Sequence, residues 1–132
     1  MARILIIDDE PDVREVIARI LKRAGHEIAV ADSGPTGLQA YRANGADLII
    51  TDVIMPGQNG VDLVKELQDA GCTARIVAIS GGGNLATAGY APGTIMTSAY
   101  LAAAAKVGAN AVLCKPFERK ELLDLVNSLL EP

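Results

Sequence analysis

The sequence predicts an α/β fold built on a parallel sheet, and three observations predict it. Short apolar runs rich in β-branched residues alternate with longer segments whose apolar residues recur at helical spacing. The runs are nearly unbroken, Arg3-Ile4-Leu5-Ile6-Ile7 and Asp47-Leu48-Ile49-Ile50-Thr51 being the clearest, which is the pattern of strands covered on both faces. The chain has 132 residues and 50% hydrophobic content, enough to fill one core, so a single domain is expected over residues 1–132.

Strands are expected at Arg3 to Ile7, Glu27 to Ala31, Leu48 to Thr51, Arg75 to Ile79 and Ala111 to Cys114. After the first, Val13, Val16, Ile17, Ile20 and Leu21 share one face of a helix that carries Arg14, Glu15, Arg19 and Lys22 opposite and stops near Ala24-Gly25. A second helix is expected from about Gly34 to Ala43 and a third from about Gly60 to Ala70. Tyr100 to Val107 has helical character, and the last helix runs from Glu118 to Leu130 with Leu122, Leu125, Val126 and Leu129 as its buried stripe. Gly81-Gly82-Gly83-Asn84 through Thr94 reads as a long loop, of the kind that is functional or mobile.

The formal charge is −4, with 12 basic and 16 acidic side chains and no Lys/Arg-rich block, so direct nucleic-acid binding is not expected. No apolar stretch is long enough to span a bilayer, and the first run is too short and wrongly flanked for a signal peptide. A soluble, cytoplasmic protein without membrane insertion follows. Cys72 and Cys114 lack metal-ligand spacing and read as reduced structural thiols, while lone His26 reads as solvent-facing and Phe117 as core.

The chemistry gathers at strand ends. Asp8 and Asp9 follow the first apolar run and Asp52 follows the third. In an open parallel sheet, ligands collect outside the carboxyl ends of the strands, so three acids there suit a hard cation and phosphate chemistry. Each motif alone has a plainer reading. Asp8-Asp9-Glu10-Pro11 suits a helix start, Asp52 ahead of Pro56-Gly57 suits a turn, and Lys115 beside Pro116 suits the surface.

Taken together the motifs resemble the receiver domain of two-component response regulators, over essentially the whole chain. The resemblance rests on Asp8-Asp9, on Asp52 in Asp52-Val53-Ile54-Met55-Pro56-Gly57-Gln58-Asn59-Gly60, on Ser80, on Lys115-Pro116-Phe117, and on the alternating five-strand, five-helix order. It implies a flavodoxin-like, doubly wound five-stranded parallel sheet in the order 2-1-3-4-5, with the ends of the first and third strands at the topological switch point. It further implies Asp52 as phosphoacceptor, Mg2+ held by Asp9, Asp52 and the backbone carbonyl of Ile54 with Asp8 acting directly or through water, and Ser80 and Lys115 as partners of the phosphoryl oxygens. The Lys115-Pro116 bond would be cis.

The implied partners are a histidine kinase or histidine phosphotransfer protein as donor and a downstream protein target. The implied role is that of a stand-alone, CheY-like signalling domain without an output domain, not an enzyme, though one that takes part in its own phosphorylation and dephosphorylation. A homodimer through the fourth and fifth helices stays open, since Ala102-Ala103-Ala104-Ala105 equally suits a helix packed closely on the sheet. Two departures stand out: Val112 occupies the position where many receivers carry an aromatic, and Ser80 and Lys115 are separated by a long connection.

Three other readings fit less well. A haloacid-dehalogenase-like phosphohydrolase needs a second acid two positions after its nucleophile, where Ile54 follows Asp52. A flavodoxin would need donors for a flavin phosphate where Asp8-Asp9-Glu10-Pro11 stands. A scaffolding receiver indifferent to phosphate would have no use for Asp8, Asp9, Asp52, Ser80 and Lys115 together.

Overall fold

Five strands, β1 (Arg3–Ile7), β2 (Glu27–Ala31), β3 (Leu48–Asp52), β4 (Arg75–Ser80) and β5 (Ala111–Cys114), form one parallel sheet in the order β2-β1-β3-β4-β5. The chain starts at β1, builds outward to β2 at one edge, then crosses back to β3, so the winding direction reverses between β1 and β3. Helices with described bounds are α1 (Pro11–Arg23), α2 (Gly34–Asn44), α3 (Gly60–Asp69) and α4 (Arg119–Leu130). Two-residue strands, Ile54–Met55 and Gln58–Asn59, form a small antiparallel ribbon just after β3. The computed structural model describes the backbone of residues 2–52, 54, 55, 58–80, 106, 108–114 and 117–130, and the side chains of these except 54, 55, 58–61, 80 and 114. The long loop from Gly81, the helix expected over Tyr100 to Val107 apart from helical Lys106, and the Lys115-Pro116 bond lie outside the described residues.

Near-continuous apolar strands follow from a core on each face. Ile4, Ile6, Leu48, Ile50, Val77 and Ile79 meet Ile17, Ala18 and Leu21 of α1 and Leu122 and Val126 of α4. Alternate residues Leu5, Ile7, Ile49 and Ile76 meet Leu63, Val64 and Leu67 of α3, with Leu38, Ala40 and Tyr41 of α2 partly buried beside them. Side chains alternate across a pleated strand, so a two-sided core demands apolar residues at every position. Four of the five residues expected on the buried face of α1 pack against the sheet, Ile17 and Leu21 fully and Val13 and Ile20 in part. Val16 departs, being 53% exposed, and Ala18 is buried beside the others. His26 is also corrected, because it is half-buried and its Nδ1 accepts the Ala2 N–H at 3.2 Å. Phe117 packs partly buried against the α1 and α4 side.

Ser33 caps α2 by accepting the Thr36 N–H at 3.3 Å while the Thr36 hydroxyl accepts the Ser33 N–H at 3.1 Å. Four residues past that cap, Gly37 lies directly over Ile7, and a Cβ there would collide with the Ile7 side chain at Cδ1 and Cγ1. The close approach of α2 to β1 therefore depends on a missing methyl group.

Gly37→Ala sets an overpacking cost of about 1–3 kcal/mol against a helix-propensity gain of about 1 kcal/mol, so a net loss of about 1 kcal/mol is expected. Urea unfolding measures it. A midpoint equal to or above that of the native chain would mean that α2 lifts off β1 without penalty.

Candidate functional site

Strand register builds the site. Ile7 lies opposite Thr51, so the next residues along, Asp8 beyond β1 and Asp52 at the end of β3, emerge side by side. Asp9 and Glu10 follow in the short connection that enters α1 at Pro11. Carboxylate oxygens from Asp8, Asp9, Glu10 and Asp52 all lie within 4.8 Å of one another. Asp8 is wholly buried and Asp52 is 3% exposed, whereas Asp9 and Glu10 are half-buried. The cluster thus has a buried floor and a partly open rim.

Local bonds fix the connection. The Asp8 N–H donates to the Ala31 carbonyl at 3.1 Å, which extends the β1–β2 ladder by one bond. Asp8 Oδ1 accepts the Glu10 N–H at 2.9 Å. Arg14 then closes over the segment, its backbone N–H donating to the Glu10 carbonyl at 3.0 Å and its Nη1 to the Asp8 carbonyl at 2.8 Å. On the neighbouring strand, the Thr51 hydroxyl donates to the Asp52 carbonyl at 3.2 Å.

Glu10 and Arg14 are the two residues that reading the sequence assigned elsewhere. A third consecutive acid after the first strand was the available signal for Glu10. It occupies the N-cap position of α1 yet its side chain makes no capping bond, and it joins the other acids instead. Arg14, assigned to the solvated face of α1, reaches back to the Asp8 carbonyl.

Two carboxylates about 4 Å apart repel by roughly 4 kcal/mol at an effective dielectric near 20. Four such groups around a buried floor therefore want positive charge. The donors are all carboxylate oxygens, a hard set without imidazole or thiolate, and in an octahedral oxygen shell at about 2.1 Å opposite ligands stand about 4.2 Å apart. The span of the cluster matches that scale, so the residues fit a small divalent cation such as Mg2+. The N-terminal end of α1 adds a partial positive charge on the same side.

The remaining expected residues divide. Ser80 ends β4 and pairs with Cys114, one row beyond the Asp52, Ile79 and Leu113 row, so its backbone stands at the same edge of the sheet. Its hydroxyl lies outside the described side chains, as does Lys115, which follows Cys114 in the chain. Ile54 opens the small ribbon two residues after Asp52. Val112 stands on β5 opposite Ala78 and is 42% exposed.

This arrangement of fold and acids is that of a signalling receiver, and comparison with known proteins shows the family directly. Residues 4–127 match the response regulator receiver domain, and the chain belongs to that family. The regulator NtrC of Azospirillum brasilense, named as a DNA-binding transcriptional regulator, is 37% identical over 98% of this chain and 24% of its own length. The chemotaxis protein CheY of Bacillus subtilis is 30% identical over 97% of both chains. Among solved structures, NtrX of Brucella abortus superposes with a TM-score of 0.82 at 28% identity, covering 98% of this chain and 27% of that one. The chain thus spans about a quarter of the NtrC-type relatives and nearly the whole of the chemotaxis protein. Among the described residues, no helix is long and apolar enough to cross a membrane.

Asp9→Asn removes one member of the cluster from its half-buried rim. In EDTA its thermal midpoint is expected to rise by about 3 °C for each kcal/mol of repulsion relieved, and excess Mg2+ is expected to raise it less than it raises the native chain. Thermal unfolding under both conditions decides this. A lower midpoint in EDTA together with an unchanged Mg2+ response would rule out the repulsive cluster.

Proposed function

We propose that Asp52 accepts a phosphoryl group from a phosphohistidine on a histidine kinase or phosphotransfer protein, and that the resulting charge changes the affinity of this domain for a downstream protein. The observation that carries the reading is the position of Asp52. It is a nearly buried carboxylate at the end of β3, inside a four-carboxylate cluster at the switch point of the sheet.

In the reaction, an Asp52 carboxylate oxygen attacks phosphorus, the phosphorus–nitrogen bond of the donor breaks, and an acyl phosphate forms while the imidazole leaves. Asp8, Asp9, Asp52 and the Ile54 carbonyl would hold Mg2+, which when bound supplies charge neutralisation for the transferring group. The Ser80 hydroxyl would donate to one phosphoryl oxygen and the Lys115 ammonium would pair with another, each drawn toward the product. The phosphoryl group adds about 1.5 to 2 negative charges, enough to bias a loop or helix that has two arrangements. Hydrolysis of the acyl phosphate returns the domain to its resting state. The reading sets this work in the cytoplasm and makes the protein a switch, not an enzyme that turns over a separate substrate.

Near-complete mutual coverage with the chemotaxis protein favours a stand-alone switch. Likeness to a quarter of NtrC favours a second reading, in which these residues act as the input part of a longer regulator.

Intact-protein mass after incubation with acetyl phosphate tests the chemistry. One phosphoryl adduct is expected with Mg2+, none with EDTA, and none for Asp52→Asn; an adduct that survives in Asp52→Asn would show that another residue is the acceptor. Ser80→Ala is expected to keep the adduct but to blunt the phosphorylation-dependent amide shifts in NMR spectra, and shifts of native size in that variant would remove Ser80 from the switch.

A further inference from the structure

We propose that Arg14 is a positioning residue for the cation site, its guanidinium holding the Asp8-Asp9 peptide so that the Asp9 carboxylate meets the other acids. The proposal rests on the Mg2+ reading above and adds a residue to it.

The segment Asp8-Asp9-Glu10 is held at four backbone points. The Asp8 N–H to Ala31 bond at 3.1 Å continues the sheet, and the Arg14 N–H to Glu10 bond at 3.0 Å is the first bond of the helix. The Glu10 N–H to Asp8 Oδ1 bond at 2.9 Å is a local turn. The fourth differs in kind, because a side chain reaches back six residues from the first turn of α1 to place Arg14 Nη1 at 2.8 Å from the Asp8 carbonyl. That carbonyl belongs to the planar peptide joining Asp8 to Asp9, so holding its oxygen also restrains the nitrogen and Cα of Asp9; with the next peptide tied by the Glu10 N–H bond to Asp8 Oδ1, the direction in which the Asp9 side chain departs is set from both sides.

Two effects of Arg14 on a cation have opposite signs. By charge alone, a guanidinium near the acids repels a cation, and removing it would tighten binding. By positioning, removing it frees the Asp8-Asp9 peptide and weakens binding. Arg14 is half-buried and lines an open depression of about 320 Å3 with Val30, Ala31, Asp32 and Thr36. Water can therefore replace the lost donor at the Asp8 carbonyl after truncation, so the fold is little affected while the alignment is lost.

The experiment is calorimetric titration of Mg2+ into the native chain, Arg14→Ala and Asp52→Asn, with thermal unfolding in EDTA alongside. Arg14→Ala is expected to bind Mg2+ roughly 10-fold more weakly, the low end for loss of an outer-shell partner, with an unfolding midpoint close to native. In the acetyl phosphate reaction, its Mg2+ half-saturation is expected to rise by a similar factor while the plateau rate stays near native, a split that general structural damage would not produce. Binding equal to or tighter than native overturns the proposal and leaves the cation site standing. No Mg2+ binding by the native chain, or native binding by Asp52→Asn, overturns the site reading and the proposal with it. If Arg14→Ala does not fold, Arg14→Gln, which loses the charge and the reach but keeps an amide, is judged by the same criterion.

Discussion

Register between β1 and β3 is the constraint on which the rest of the structure depends. Ile7 opposite Thr51 sets Asp8 beside Asp52, and a slip of one residue would carry one carboxylate to the other face. In most half-buried sheets the alternation of apolar and polar residues enforces register. Here both faces are apolar, so alternation is silent. The lock lies instead at the opposite edge. The Arg3 N–H donates to Asp47 Oδ2 at 2.9 Å while the Asp47 N–H donates to the Arg3 carbonyl at 2.8 Å, a two-bond clasp between the starts of β1 and β3. The bare face of Gly37 receives Ile7 and so seats α2 on β1.

The same device recurs where β4 meets the approach to β5. The Ile76 N–H donates to Asn110 Oδ1 at 2.8 Å and the Asn110 N–H donates to the Ile76 carbonyl at 2.7 Å. The amino edge of the sheet is thereby fastened by side chains that imitate backbone. The carboxyl edge carries the acids, whose mutual repulsion is met by local clamps at Asp8 and Glu10. Rigidity at one edge and concentrated charge at the other give a platform on which a change of charge is felt at the strand ends and the turns beyond them.

Most of this was legible in the sequence, for identifiable reasons. Unbroken apolar runs marked the five strands, and the described helices begin and end within about a residue of their expected limits because caps and glycines punctuate them. The convergence of Asp8, Asp9 and Asp52 required only the carboxyl-edge rule and the strand order. Three details were not legible. The exposure of Val16 at one margin of the α1 stripe depends on where the sheet and α4 press on the helix, which periodicity in α1 alone does not encode. The bond from Arg14 to the Asp8 carbonyl joins a side chain to backbone, and residue type predicts no backbone partner six positions away. Glu10 matched the pattern of a helix start, and only the distances between the carboxylates show that its side chain joins the acids and does not cap the helix.

A domain of this size is stabilised by only about 5–15 kcal/mol, and carboxylates gathered within 4.8 Å of one another draw on that margin. Such a cluster persists because the apolar layers on both faces hold β1 and β3 together whatever the acids prefer. The strand ends then sit in a field that one bound divalent cation would weaken and one added phosphoryl group would deepen. Stability and charge state at the site are therefore linked: a ligand that binds the acids only in the folded state stabilises the fold by the free energy of its own binding at the prevailing concentration. In the proposed switch, charge arriving at the carboxyl edge would act on the connections around the acids before it acts on the fastened amino edge.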